Sequence, residues 1–154
     1  MFKALAQNHG GGCIMILKKE NGQVNFIGSG FLCHSQGYIL TCAHTINLTD
    51  KLAIIPPQAL NEFNQLTLER VNPFDVTIAQ YDANNDVALL KITDSVSLSV
   101  PDNMLGDEKI SPIGSSVGYI GFPFGQIGLH TIKVSLLASL LPKFTCGDLL
   151  QMIK

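Results

Sequence analysis

The sequence carries little charge and no block of one sign. Asp, Glu, Lys and Arg make up 14% of the 154 residues, and the formal net charge is −2. With no basic stripe, the electrostatic footprint of a nucleic-acid binder is missing, and so is a polybasic patch for anionic lipid. No membrane span is expected: apolar runs such as VSLLASLL at 134–141 fall far short of the ~20 residues a spanning helix needs. The four cysteines, Cys13, Cys33, Cys42 and Cys146, form no C-x-x-C pair. The commonest zinc and redox spacings are therefore absent. A chain of this length does not need disulfides to fold, so reduced, buried thiols are expected. The opening MFKALAQNHGGGC holds no apolar block of signal-peptide length. Together with the cysteine usage this favours a cytoplasmic location, the alternative being an export signal already removed. No internal repeat or low-complexity stretch interrupts the chain.

What is present is apolar and patterned. The hydrophobic fraction of 46% fits one globular domain or two small lobes with a sizeable core. CIMILK (13–18) reads as a strand, ENGQ as an Asn-Gly turn, and VNFIGSGFL as a second strand. Gly28, Ser29 and Gly30 inside that strand suggest a bulge or a close backbone approach. HSQG turns at 34–37, and YILTCAH follows as a strand. KLAII (51–55), DVTIAQYD (75–82) and DVALLKI (86–92) bring the number to about six short strands, the pattern of a small barrel or sandwich. Residues 58–70 read as a loop with a helical turn, and 93–112 as a linker between lobes. SSVGYIGF (115–122) resumes as a strand. LHTIKVSLLASLL (129–141) fits a strand or a helix face equally well.

Two residues stand out for chemistry. His44 sits where an apolar strand runs out, after small residues that leave its ring room to turn. Asp86 opens DVALLKI behind the polar Asn84 and Asn85. An imidazole acting as general base needs a carboxylate to fix its tautomer and to stabilise the imidazolium. A strand-end histidine and a strand-start aspartate from two hairpins of one barrel can meet at its rim. On pattern alone, a structural histidine is the commoner case.

Three motifs change that reading. GSGFLCHSQGYILTCAHTI resembles the segment around the catalytic histidine of trypsin-like serine proteases of the HtrA-like group. YDANNDVALLKI resembles their aspartate segment, and LGDEKISPIGSSVGYIGFPFG the opening of their second barrel. The three occur in order and cover most of residues 24–125. The resemblance implies an all-β fold, a chymotrypsin-like double β-barrel whose second barrel is incomplete. Residues 1–95 would form the first barrel, 96–112 the linker and 113–154 the partial second barrel. It implies peptide-bond hydrolysis of polypeptide substrates, with His44 as general base and Asp86 as its orienting partner. Backbone N–H groups beside a serine would hold the oxyanion. No cofactor is implied.

The sequence departs from the family in two places. Cys42 stands where the family more often has Ala or Asn, and reads as a small buried apolar group. The Gly-(Asn/Asp)-Ser-Gly-Gly nucleophile segment does not occur in the 154 residues. CGDLLQMIK resembles the strand before it, with Gln151 matched and Ile153 in place of the usual Asp. The expectation is a chain that stops just short of its nucleophile and is inert alone. The alternative is a non-catalytic, protease-like binding module. An incomplete second barrel would also expose a strand edge and lead to self-association.

Other constellations are weaker. Cys146 lacks a following Gly-Gly to shape an oxyanion hole, so it reads as a plain thiol rather than a nucleophile. HGGG at 9–12 and GSSVG at 114–118, with Ser116, copy the oxyanion and nucleophile motifs of α/β-hydrolases. Yet no helix-forming stretch follows Ser116, and His130 precedes Asp148, the reverse of that fold's order. His9 and its glycines read instead as a mobile N-terminal arm, and Ser116 as a solvent-facing strand residue. Cys33, His34, Cys42 and His44 are soft ligands close in sequence, but Cys33 and His34 alternate to opposite faces, so no metal site is expected. His34 and His130 read as turn or surface residues, and Asp82 as a turn residue.

Overall fold

A computed structural model describes residues 2–55, 73–100 and 121–122. Among them, six antiparallel strands close into one barrel: β1 Cys13–Glu20, β2 Gln23–His34, β3 Tyr38–Thr41, β4 Leu52–Ile54, β5 Phe74–Asp82 and β6 Val87–Ile92. The order around the barrel is β1-β2-β3-β6-β5-β4, with β4 returning to β1. The all-β expectation holds, and of barrel and sandwich the chain forms the barrel.

Side-chain alternation explains the closure. In β6, Ala88, Leu90 and Ile92 point inward while Val87 and Leu89 do not. Ile14 and Ile16 of β1, Leu32 of β2, Ile39 of β3 and Ile54 of β4 meet them, all at most 1% exposed. Full burial of one such side chain contributes roughly 1.5–3 kcal/mol. The unbroken run CIMIL has its own reason. Met15 and Leu17 point the other way, into a second cluster with Ala53, Ile55, Phe26 and Phe122 outside the barrel. A strand buried on both faces reads as continuous apolar sequence.

The turns carry out what their residues dictate. Asn21 and Gly22 both take positive φ, 52° and 76°, as a two-residue hairpin requires. The glycine signal in β2 resolves into both predicted features. The β1–β2 register shifts between Ile16 and Leu17, whose partners are Gly28 and Phe26, leaving Ile27 as the bulge. Gly30 supplies the close approach: a Cβ there would lie 2.7 Å from the Leu40 carbonyl oxygen.

Three expectations are corrected. The N-terminal segment is no loose arm: Phe2–His9 is a helix, and Gly10, Gly11 and Gly12 are buried in the 3₁₀ turn that leads into β1. Glycine composition reads as loop, but three residues without side chains also fit where backbone must pack closely. The strand YILTCAH ends at Thr41, and His44 lies in a 3₁₀ turn, Ala43–Thr45. Asp86 precedes β6 rather than opening it. The expectations for 58–70, for most of the linker and for 123–154, including Cys146, His130, Asp148 and Gln151, fall outside the described residues, as does Ser116. Gly121 and Phe122 are described and belong to no strand. No helix among the described residues is long and apolar enough to cross a membrane.

Candidate active site

The β3–β6 ladder builds the site. Its last pair is Thr41 with Ala88. Beyond it, the chain leaving β3 and the chain entering β6 stand side by side at the barrel rim. Two N–H groups just past that pair both go to Asp86, the first still in the register of the ladder. Ala43 N–H donates to the Asp86 carbonyl at 3.3 Å, and His44 N–H to Asp86 Oδ1 at 2.9 Å. The second of these bonds goes to a side chain rather than to backbone, and there the strand gives way to the 3₁₀ turn. Thr45 tightens it, its N–H and its hydroxyl both donating to the Cys42 carbonyl. Ala43, 1% exposed, pins the turn to the core.

Asp86 is delivered by a turn of its own. Asp82 Oδ1 accepts the N–H groups of Asn84 and Asn85 at 3.0 and 3.1 Å, and Oδ2 accepts the Asn85 amide at 2.7 Å. The turn ends with Asp86 at φ +54°, a left-handed conformation that Asp tolerates better than most residues. The β5–β6 register shifts between Ile78 and Gln80, which leaves Ala79 as a bulge and brings Tyr81 opposite Ala88. The Tyr81 hydroxyl donates to the Ala43 carbonyl at 3.3 Å, tying β5 to the histidine turn.

His44 Nδ1 and Asp86 Oδ2 are 2.7 Å apart. The carboxylate is 23% exposed and the imidazole 59%, so the ring is braced on one side and open to solvent on the other. The His44 N–H bond, then the ring bond, hold the Asp86 carboxyl below the usual carboxylate range against a smaller opposing effect of desolvation. An anionic Asp86 fixes the imidazole with its proton on Nδ1 and leaves Nε2 to accept one.

The soft ligands separate. Cys33 Sγ donates to the Tyr38 carbonyl, and His34 is exposed, its Nδ1 accepting the Gln36 N–H. Neither belongs to the cluster that His44 forms with Cys42 and Asp86. Cys42 differs from expectation: it is only partly buried, and its thiol approaches the dyad. Cys42, His44 and Asp86 each offer a donor atom within 4.8 Å of the others. Burial first, and the Asp86 charge second, push the Cys42 thiol above its ordinary pKa. Sequence spacing placed Cys42 beside His44, but its proximity to Asp86 depends on the β3–β6 register.

The family model described as trypsin-like peptidase domain matches residues 28–145. The chain belongs to the trypsin-like peptidase family. It is 33% identical over 99 residues to a probable periplasmic serine endoprotease, DegP-like, of Halomonas elongata, covering 64% of this chain and 18% of that one. A DegP-like counterpart in Pseudomonas putida is 32% identical over the same shares. The serine endoprotease DegS of Haemophilus influenzae is 29% identical over 102 residues, 66% of this chain and 26% of that one. This trypsin-like peptidase chain thus spans about a fifth to a quarter of the relatives' length. Among solved structures, the apo MamO protease domain of Magnetospirillum magneticum matches with a TM-score of 0.47 at 14% identity, over 60% of this chain and 44% of that one. The cytoplasmic location expected from the sequence is corrected by the DegP-like relatives, whose names place them in the periplasm. The N-terminal composition on which that expectation rested carries no information about an address outside these residues.

Proposed function

We infer that the chain supplies the acid–base half of a serine endopeptidase acting on polypeptides. His44 Nε2 takes the proton of an attacking serine hydroxyl and returns it to the leaving amine. Asp86 holds Nδ1–H and stabilises the imidazolium that forms. The observation that carries this reading is the 2.7 Å Nδ1···Oδ2 contact with the ring open on its far side. The same reading takes residues 1–95 as the first barrel, 96–112 as the linker and 113–154 as the opening of a second. It places the protein in the periplasm, following the relatives. The serine itself has no Gly-x-Ser-Gly-Gly segment to sit on in these 154 residues, so the chain by itself is inert.

The test is fluorophosphonate labelling and casein hydrolysis, measured on the 154-residue chain and on the product of the whole reading frame that contains it. The reading expects no labelling of the first. It expects one labelled serine and turnover in the second, both lost in His44→Ala. If the frame's complete product neither labels nor cleaves, the proteolytic reading falls and a protease-like binding module replaces it. Labelling of the 154 residues alone would overturn the expectation that they are inert.

A further inference from the structure

The geometry points to a binding site for a thiophilic divalent cation of the Zn²⁺ class at the barrel rim, formed by Cys42 Sγ, a ring nitrogen of His44 and a carboxylate oxygen of Asp86. One donor atom from each lies within 4.8 Å of the others. An ion at the centre of so small a triangle is at most about 2.8 Å from each donor, against about 2.3 Å for Zn–S and about 2.0–2.1 Å for Zn–N. Sub-ångström side-chain shifts close the shell. Three protein ligands leave the fourth tetrahedral position to water, and the exposed face of His44 gives the ion a way in.

The chemistry of the donors selects the ion. A thiolate and an imidazole favour Zn²⁺ or Cu²⁺ over the oxygen-seeking Mg²⁺ and Ca²⁺. The surroundings orient the ligands. Asp86 Oδ1 is held by the His44 N–H at 2.9 Å, so an ion that takes Oδ2 leaves that anchor intact. The Cys42 backbone is fixed by the two bonds from Thr45 to its carbonyl. On binding, the Cys42 S–H gives its proton to solvent; if the ion takes Nδ1, the ring proton moves to Nε2 and the imidazole stays neutral.

Occupancy has a consequence that rests on the proteolytic reading. Whichever ring nitrogen the ion takes is one that acid–base chemistry requires, Nδ1 for the bond to Asp86 or Nε2 for the substrate's proton. The bound cation would therefore inhibit reversibly, and a chelator would relieve it. Binding itself does not depend on that reading.

The experiment titrates Co²⁺, a spectroscopic stand-in for Zn²⁺, into the reduced 154-residue chain, then competes it with Zn²⁺ and with Mg²⁺. A thiolate-to-cobalt charge-transfer band is expected, bleached by Zn²⁺ and indifferent to Mg²⁺. Cys42→Ser should abolish the band, and Cys33→Ser should keep it. Zn²⁺ affinity should fall in Cys42→Ser by at least about tenfold, the lower end of what even an outer-shell change costs. Far-UV circular dichroism matched to wild type shows that each variant folds. No band at millimolar Co²⁺, or a band that survives Cys42→Ser, overturns the site. A band together with failed fluorophosphonate labelling of the complete product leaves the metal site standing and removes only the proteolytic reading.

Discussion

Asp86 holds His44 through two different oxygens, Oδ1 on the main-chain N–H at 2.9 Å and Oδ2 on ring Nδ1 at 2.7 Å. Both bonds ask the side chain to accept. An asparagine can satisfy one of them only, because its second polar atom is a donor. With its oxygen kept by the backbone, Asp86→Asn presents an amide to Nδ1 and pushes the ring proton to Nε2. Nitrogen-15 NMR of the histidine should show the tautomer change in the 154-residue chain. In a complete protease the wrong tautomer lowers kcat by on the order of 10⁴. Retention of Nδ1–H in the variant would contradict the assigned roles.

Asp82 should matter to the same histidine without touching it. It accepts three hydrogen bonds from Asn84 and Asn85 and so sets the turn that delivers Asp86 in its left-handed conformation. Asp82→Ala removes all three. Thermal unfolding should show a lower midpoint, as expected for a lost side-chain-to-backbone cap. The His44 Nδ1 proton should also exchange faster with solvent. Asp82→Asn, which keeps Oδ1, should recover most of the protection.

How far the sequence spoke can be judged at these residues. VALLKI and YILT announce their strands because each is a short, mostly apolar run bounded by turn residues, and Asn21-Gly22 announces its hairpin because both residues tolerate the positive φ it needs. The pairing of His44 with Asp86 was legible through motif order. The 3₁₀ turn was not, since YILTCAH stays apolar past Thr41 and nothing local shows that Asp86 captures two backbone N–H groups 42 and 43 positions away. The Ala79 bulge and the approach of Cys42 to Asp86 are products of register, which single-strand patterns do not encode.

Gly30 should tolerate no side chain. Its missing Cβ would stand 2.7 Å from the Leu40 carbonyl oxygen and 2.9 Å from Ile39 Cγ2, so β2 and β3 would have to separate. Gly30→Ala should destabilise the barrel by about 1–3 kcal/mol, the range for overpacked cores. Urea denaturation would read this as a lower midpoint with unchanged slope. A neutral substitution would mean that β2 and β3 are farther apart than described.

The acid limit of stability should report on Asp50. Burial works to raise the pKa of its carboxyl. The Asn47 N–H and the Lys18 ammonium, 2.9 and 3.1 Å away, outweigh it and hold it below the usual range. A depressed folded-state pKa gives stability that is present above the unfolded value, about 3.9, and lost as pH falls through the folded one. Asp50→Asn should therefore lower the melting temperature at pH 7 and flatten its fall below about pH 4. An unchanged acid slope would show that Asp50 is not a source of it.

Ser29 connects this barrel to chain far beyond it. Its hydroxyl accepts the Phe122 N–H at 2.8 Å, while its own carbonyl accepts the Thr41 hydroxyl at 2.9 Å. Phe122 in turn packs on Met15, Leu17, Ala53 and Ile55, covering the outer face of β1 and β4. The serine thus orients the backbone that lays an aromatic ring against this cluster. Ser29→Ala leaves that N–H without its acceptor and should cost about 1 kcal/mol. Hydrogen exchange at the Phe122 amide should accelerate, while amides of β6, on the far side of the barrel, should exchange as before. Acceleration spread evenly over all six strands would instead mean that Ser29 serves the barrel as a whole, and the local clamp would be refuted.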